Sequence, residues 1–120
     1  FTLLDSIGKK IMVVEEMVKQ LGLSNVEVAR GRVEELPKKR SYDFIIGRAV
    51  TALPTFFGWV HNKIRKGARN SPANGILYLK GGDYTEELKS SGLHPAKIWN
   101  LDEIIPEANL GEKYLIHFKI

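Results

Sequence analysis

The chain has 120 residues, 43% of them hydrophobic and 27% charged, which suits one small water-soluble domain with a single core. It has no cysteine, which excludes a disulfide framework, a thiolate zinc site and a cysteine nucleophile; no apolar run approaches membrane-spanning length and no signal peptide is visible. The net charge of +4 is uneven: from Arg30 to Arg69 ten Lys or Arg stand against three acids, +7 on the middle third, so a polyanionic partner, nucleic acid first, competes with a merely solvated surface.

Phe1 to Asp5 reads as a buried strand that ends in a carboxylate and a hydroxyl, Asp5-Ser6. An acid at a strand tip of an open α/β sheet often takes a ribose hydroxyl, but the same pair can simply cap the following helix. Lys9 to Leu21 has helical spacing at Ile11, Val14, Met17, Val18 and Leu21, with Glu15 and Lys19 set to pair and Gly22 as the stop. Lys9 and Lys10 fall in its first turn, where the helix dipole disfavours cations by less than about 1 kcal/mol each, so they are either tolerated or kept for an anionic ligand.

Val26 to Arg30 reads as a strand broken by Gly31, and Arg32 to Leu36 as a loop or helical turn closed by Pro37 and the run Lys38-Lys39-Arg40. Tyr42 to Gly47 is continuously apolar, as expected of a central parallel strand covered on both faces, with Arg48 at its tip. The next helix buries Leu53, Phe56, Phe57, Val60 and Ile64, starts with Pro54 in its first turn, carries Lys63, Arg65 and Lys66 at its end and stops at Gly67. Gly75 to Lys80 is a strand followed by Gly81-Gly82, and Asp83 is suited to cap a short helix over Tyr84 to Lys89. Ala96 to Leu101 and Tyr114 to Ile120 are the last strands, separated by an acidic loop with Pro106. The order β-α-β-β-α-β-α-β-β implies a parallel α/β sheet with an antiparallel tail.

Four stretches at strand ends, Leu4-Asp5-Ser6, Arg32-Val33-Glu34-Glu35, Gly47-Arg48-Ala49-Val50 and Leu79-Lys80-Gly81-Gly82, together resemble the glucose-inhibited division protein B family, the small-subunit ribosomal RNA methyltransferase G family. The resemblance covers essentially the whole chain. It implies a Rossmann-like class I methyltransferase sheet with a reversed final strand, and S-adenosylmethionine-dependent methylation of guanine N7 in small-subunit (16S) rRNA. It also implies cofactor contacts by Asp5 and Ser6 at the ribose, by Val33 and Glu34 beside the adenine, and by Arg48 at the cofactor and substrate pocket. Lys80 matches the family's strand-end lysine and is assigned to the RNA side or to structural support; Lys9, Lys10, Lys38, Lys39 and Arg40 are assigned to the RNA, since their charge can meet phosphates.

The first residue is not Met, and the family's first strand and glycine-rich loop have no counterpart after Phe1. The 120 residues are therefore expected to be one methyltransferase domain incomplete at its N-terminus, part of a longer protein, and to bind the cofactor poorly and be inactive alone. A cytoplasmic monomer without metal or membrane is the accompanying expectation. Guanine N7 has a lone pair and no proton to lose, so no catalytic base is assigned; alignment is worth up to about 7–11 kcal/mol. His61, His94 and His117 lack metal-ligand spacing and read as structural, and Trp59 and Trp99 read as packed rather than stacked on a base. Two other readings stay open: a non-catalytic RNA-binding module of the same fold, and a nicotinamide-dependent oxidoreductase, which also uses an acid after its second strand.

Overall fold

The computed structural model describes residues 1–48 and 51–120. The chain divides into two compact units, Phe1–Pro37 and Lys38–Ile120. Elements follow the expected order, with one addition near the C-terminus.

The first unit is a β-α-β motif. Strand β1 (Thr2–Asp5) pairs in parallel with β2 (Glu27–Arg30), and helix α1 (Gly8–Gln20) connects them. Along α1 the apolar residues at helical spacing divide: Ile11 is buried and Val14 and Val18 are half-buried, whereas Met17 and Leu21 are 56% and 67% exposed. The inward stripe is thus narrower than the sequence pattern suggests. Glu15 and Lys19 do not pair; the i,i+4 contact on this helix is Gln20 Nε2 to Glu16 Oε1 at 3.1 Å. The helix ends as expected at Gly22, whose φ of +63° lets its N–H reach the Lys19 carbonyl while the Leu23 N–H reaches Val18. That double closure satisfies two carbonyls that the helix end leaves without partners. After β2 the chain makes a 3-10 turn over Val33–Glu35.

The second unit is a four-stranded sheet in the order β3-β4-β6-β5, built from β3 (Phe44–Arg48), β4 (Gly75–Gly81), β5 (Lys97–Asn100) and β6 (Lys113–Lys119). β3 runs parallel to β4, while β6 is antiparallel to both β4 and β5. The reversed final strand is therefore inserted inside the sheet. β3 differs from expectation: in this sheet it pairs with β4 only, and Ile46 on it is 63% exposed.

The core lies on one face of β4 and β6. Ile76 pairs with Phe118 and Tyr78 with Ile116, and all four are buried. Helix α2 (Leu53–Val60) covers them, with Phe56 5.8 Å from Tyr78 and Phe57 edge-on to Phe118 at 6.1 Å. Each such large side chain contributes about 1.5–3 kcal/mol through burial. Two glycines permit this packing. A Cβ on Gly47 would stand 2.4 Å from the Phe56 ring, and one on Gly75 would stand 2.0 Å from the Phe118 carbonyl oxygen.

α2 stops at Val60, earlier than the apolar pattern suggests, and His61–Lys63 forms a 3-10 turn. Ile64 is buried beyond the helix and bridges Tyr42, so Arg65 and Lys66 are not helix-end cations, whereas the Lys63 ammonium donates to the Trp59 carbonyl in the last turn of α2, as expected of a cation there. Arg65 instead pairs with Asp43 at 2.8 Å, and buried Asn74 donates to the same carboxylate at 3.3 Å. Helix α3 (Thr85–Ser91) follows β4, and its entry turn is held by Asp83, which accepts the Thr85 N–H. The addition is α4 (Leu101–Ile104), capped by the Asn100 side chain, in what reads from sequence as an acidic loop.

Gly75→Ala should destabilise the protein by about 1–3 kcal/mol, since the obstructing atom is backbone and overpacking cannot relax by a rotamer change. Gly58→Ala, on α2 with open space around its Cβ, should instead be neutral or stabilising by up to about 1 kcal/mol. Urea unfolding of the two variants side by side measures the difference.

Candidate functional site

The carboxyl ends of parallel strands are where open α/β sheets hold ligands, because the strand ends and the loops that follow them converge there. In the first unit the register aligns Asp5 with Arg30 at the two strand tips, and the Gly31 N–H donates to the Asp5 carbonyl at 3.0 Å. Asp5 and the turn Val33–Glu35 thus leave the same edge. Asp5 Oδ1 accepts the Ile7 N–H at 2.9 Å, which fixes the turn into α1. The N-cap position itself is Ile7, and no side chain caps the helix. Capping by Asp5 or Ser6 is therefore not how α1 starts.

The half-buried Asp5 keeps Oδ2 without a hydrogen bond to any described residue. Val33 and Glu34 are half-buried, and Glu34 stands 3.8 Å from Arg32. A carboxylate oxygen open to a hydroxyl at one strand end, with an apolar side chain on the turn after the paired strand, suits the ribose and base of a nucleoside. Ser6 is exposed next to them. Lys9 and Lys10 lie exposed in the first turn of α1, which contains no acid.

In the second unit a cleft of about 690 Å³ opens at the carboxyl ends of β3 and β4. Arg48, Lys80 and Lys113 bring charge to it, Tyr78 and Tyr114 bring aromatic rings, and leucines line the remainder. Arg48 and Lys80, both expected at a site, are thereby brought together. The carboxylate of Asp43, just before β3, is paired with Arg65. Arg48 has no ion pair among the described residues. Ala49 and Val50, which complete the Gly47-Arg48-Ala49-Val50 stretch, lie outside the described residues.

Lys80 is held differently. Its ammonium is 2.9 Å from Glu87 Oε2, and Glu87 Oε1 accepts the Leu53 N–H, also at 2.9 Å. The hydrogen bond that Lys80 donates to Glu87 raises its pKa against the opposing effect of burial. Burial alone would push the Glu87 carboxyl up, but Lys80 and the Leu53 amide outweigh it and keep it below the usual carboxylate range. Both groups are charged near neutrality. Burial and Glu87 together raise the Tyr78 phenol, whose OH donates to the Thr51 carbonyl at 3.3 Å.

The remaining candidates are dispersed. Lys38, Lys39 and Arg40 are exposed in sequence before β3, and Arg40 donates to the Ile64 carbonyl at 2.9 Å. His61 and His117 bind backbone carbonyls of Phe57 and Ala73. Trp59 and Trp99 are half-buried, with the Lys97 ammonium 5.0 Å from the Trp99 ring centre. Sequence reasoning missed Glu87, Lys113 and Tyr114. Lys113 pairs in register with Gly81, and a Cβ there would meet its ammonium at 2.7 Å. The available signal was the glycine pair after Lys80, which marks a close approach but not by what.

Residues 1–108 match the GidB family model, rRNA small subunit methyltransferase G. Three similar proteins bear the name ribosomal RNA small subunit methyltransferase G. The one from Christiangramia forsetii is 48% identical over 117 residues, covering 98% of this chain and 54% of that protein. The Flavobacterium johnsoniae protein is 42% identical over 120 residues, covering 100% and 56%, and the Serratia proteamaculans protein 36% identical over 122 residues, covering 99% and 55%. The chain spans about half the length of the curated relatives it matches.

Among solved structures, a precorrin 8w decarboxylase from Methanobacterium thermoautotrophicum has a TM-score of 0.61 at 18% identity, covering 99% of this chain and 69% of that one. A putative sarcosine dimethylglycine methyltransferase from Galdieria sulphuraria has a TM-score of 0.59 at 13% identity, covering 98% and 69%. These likenesses concern the fold, which is mixed α/β of the Rossmann-like class.

The Glu87–Lys80 pair has a pH signature. A lowered carboxyl contributes stability that is full above its ordinary pKa of 4.5 and is lost as pH falls through the lower folded value. A raised ammonium contributes stability that is full below 10.5 and is lost as pH rises through its folded value. Glu87→Gln should therefore flatten the acid limb of a stability–pH profile below the ordinary carboxyl pKa. Urea midpoints measured across that range, for variant and parent, test it.

Proposed function

The chain belongs to the rRNA small subunit methyltransferase G family, and on that premise we propose that it works within an enzyme methylating N7 of a guanine in small-subunit rRNA. The 120 residues are read as part of one methyltransferase domain, acting as a monomer in the cytoplasm. The observation that carries the reading is that each unit, taken by itself, has a strand-tip feature suited to it. One is a ribose-competent carboxylate, Asp5, with an oxygen unpartnered among the described residues, at the strand edge from which the Val33–Glu35 turn also follows. The other is a cationic cleft holding Arg48 and Lys80.

S-adenosylmethionine, when bound, supplies the electrophilic methyl group. Asp5 binds the ribose, with Ser6 close by, and Val33 and Glu34 flank the adenine. Arg48 contributes charge at the cofactor and substrate pocket. Lys9, Lys10, Lys38, Lys39 and Arg40 attract the phosphate backbone, and Lys80 faces the RNA. The nucleophilic nitrogen arrives with its lone pair free, so none of these side chains removes a proton. Their task is to bind, orient and hold the reacting atoms in line.

The full-length protein should transfer tritium from labelled S-adenosylmethionine to unmethylated small-subunit rRNA; a folded protein that incorporates none would sink the proposal. Within it, Asp5→Ala should weaken cofactor binding about 10–100-fold, the range of a hydrogen bond to a charged group, and leave RNA affinity unchanged. Lys39→Ala should weaken RNA binding and lower the slope of log K against log salt by up to about one. Calorimetry with the cofactor and filter binding at several salt concentrations separate the two effects, and equal losses for both ligands from each variant contradict the partition.

A further inference from the structure

We infer that Glu87 is a positioning residue, holding the Lys80 ammonium at the cleft as the hydrogen-bond donor to O6 of the guanine being methylated. The inference rests on the functional reading above and adds a residue and a basis for choosing guanine over adenine.

The geometry is a two-ended clamp. Glu87 Oε1 is fixed on the N–H of Leu53, the first residue of α2, whose side chain is 1% exposed. That amide has no partner within its own helix, so the carboxylate satisfies it. The other oxygen, Oε2, holds Lys80 at 2.9 Å. A lysine otherwise moves through four rotatable bonds. Here its nitrogen is tied to a rigid backbone point, with one donor engaged and the other two without a partner among the described residues. The Lys80 side chain is 29% exposed and lines the cleft.

The chemistry of the acceptor edge selects the role. Guanine presents two acceptors there, N7 and O6, whereas adenine presents N7 and an amino donor. N7 is the atom that receives the methyl group, which leaves O6 as the acceptor to be read. An ammonium only donates, so it matches O6 and repels the amino group of adenine.

A lone cation near O6 would also oppose the positive charge that builds on the ring as N7 is methylated. The Glu87 carboxylate offsets that charge and leaves a donor of nearly zero net charge. The other cations of the cleft are arranged differently. Arg48 and Lys113 have no carboxylate partner among the described residues, and the Lys113 ammonium lies by Gly81. They remain available to phosphates, while Lys80 is committed to a directed contact.

The test uses the full-length protein and small-subunit rRNA carrying either guanine or 2-aminopurine, which keeps N7 but lacks O6, at the methylated position. Wild type should lose about 10–100-fold in kcat/KM on the 2-aminopurine RNA. Glu87→Gln keeps an acceptor for Leu53 but loses the negative charge that holds Lys80. Its kcat on guanine should fall with KM for the cofactor unchanged, and its guanine preference should shrink to less than about threefold.

If Glu87→Gln slows both RNAs equally and keeps the wild-type preference, Glu87 merely joins α3 to α2 and the inference is overturned. Lys80→Met leaves the Glu87–Leu53 contact in place and covers the case of a poorly folded Gln variant; full discrimination by Lys80→Met also overturns it. A wild-type protein that methylates neither RNA defeats the functional reading itself.

Discussion

The second unit depends on the pairing of β4 with β6. Ile76 and Tyr78 on one strand and Phe118 and Ile116 on the other form a continuous buried surface, and α2 lies against it through Phe56 and Phe57. The close approach at Gly75 shows how little space the pairing leaves, since a single methyl there would meet the opposing backbone. Tight packing of this kind makes the strand ends rigid. Rigid strand ends matter because Arg48, Lys80 and Lys113 project from them into one cleft.

That rigidity is passed on to a charged group through Glu87. The carboxylate sits between a backbone amide at the start of α2 and the ammonium at the end of β4. Partly sheltered from water, the pair keeps both charges despite burial. An exposed ion pair would contribute little, generally below about 1 kcal/mol, and would leave lysine mobile. The first unit uses a backbone anchor as well: Asp5 Oδ1 is occupied by the Ile7 N–H, which orients the carboxylate and leaves its second oxygen without a partner among the described residues.

Much of the fold was legible in the order of residues. The six strands and the three longer helices were expected, because apolar periodicity and Gly22, Gly81 and Gly82 mark local geometry. The misreadings have physical causes. Ile64 continues the helical spacing of Leu53, Phe56 and Val60, yet it is buried through a bridge to Tyr42 rather than in the helix. Met17 and Leu21 share helical spacing with Ile11 and remain exposed, because a two-stranded sheet covers only part of α1. The acidic loop before β6 begins with a helical turn because Asn100 caps it.

Asp5, Arg48 and Lys80 could be singled out from sequence because each follows an apolar strand, and strand tips form ligand crevices. Family resemblance added their roles. What sequence alone determined is therefore local: which segments are strands or helices, where they end, and which polar side chains stand at the ends. Only the tertiary structure decided the partners. Glu87 reaches a backbone amide 34 residues away, and Lys113 comes beside Gly81 through antiparallel pairing with β4. Such contacts depend on how the chain closes in space, and no local periodicity encodes which distant charge will meet which.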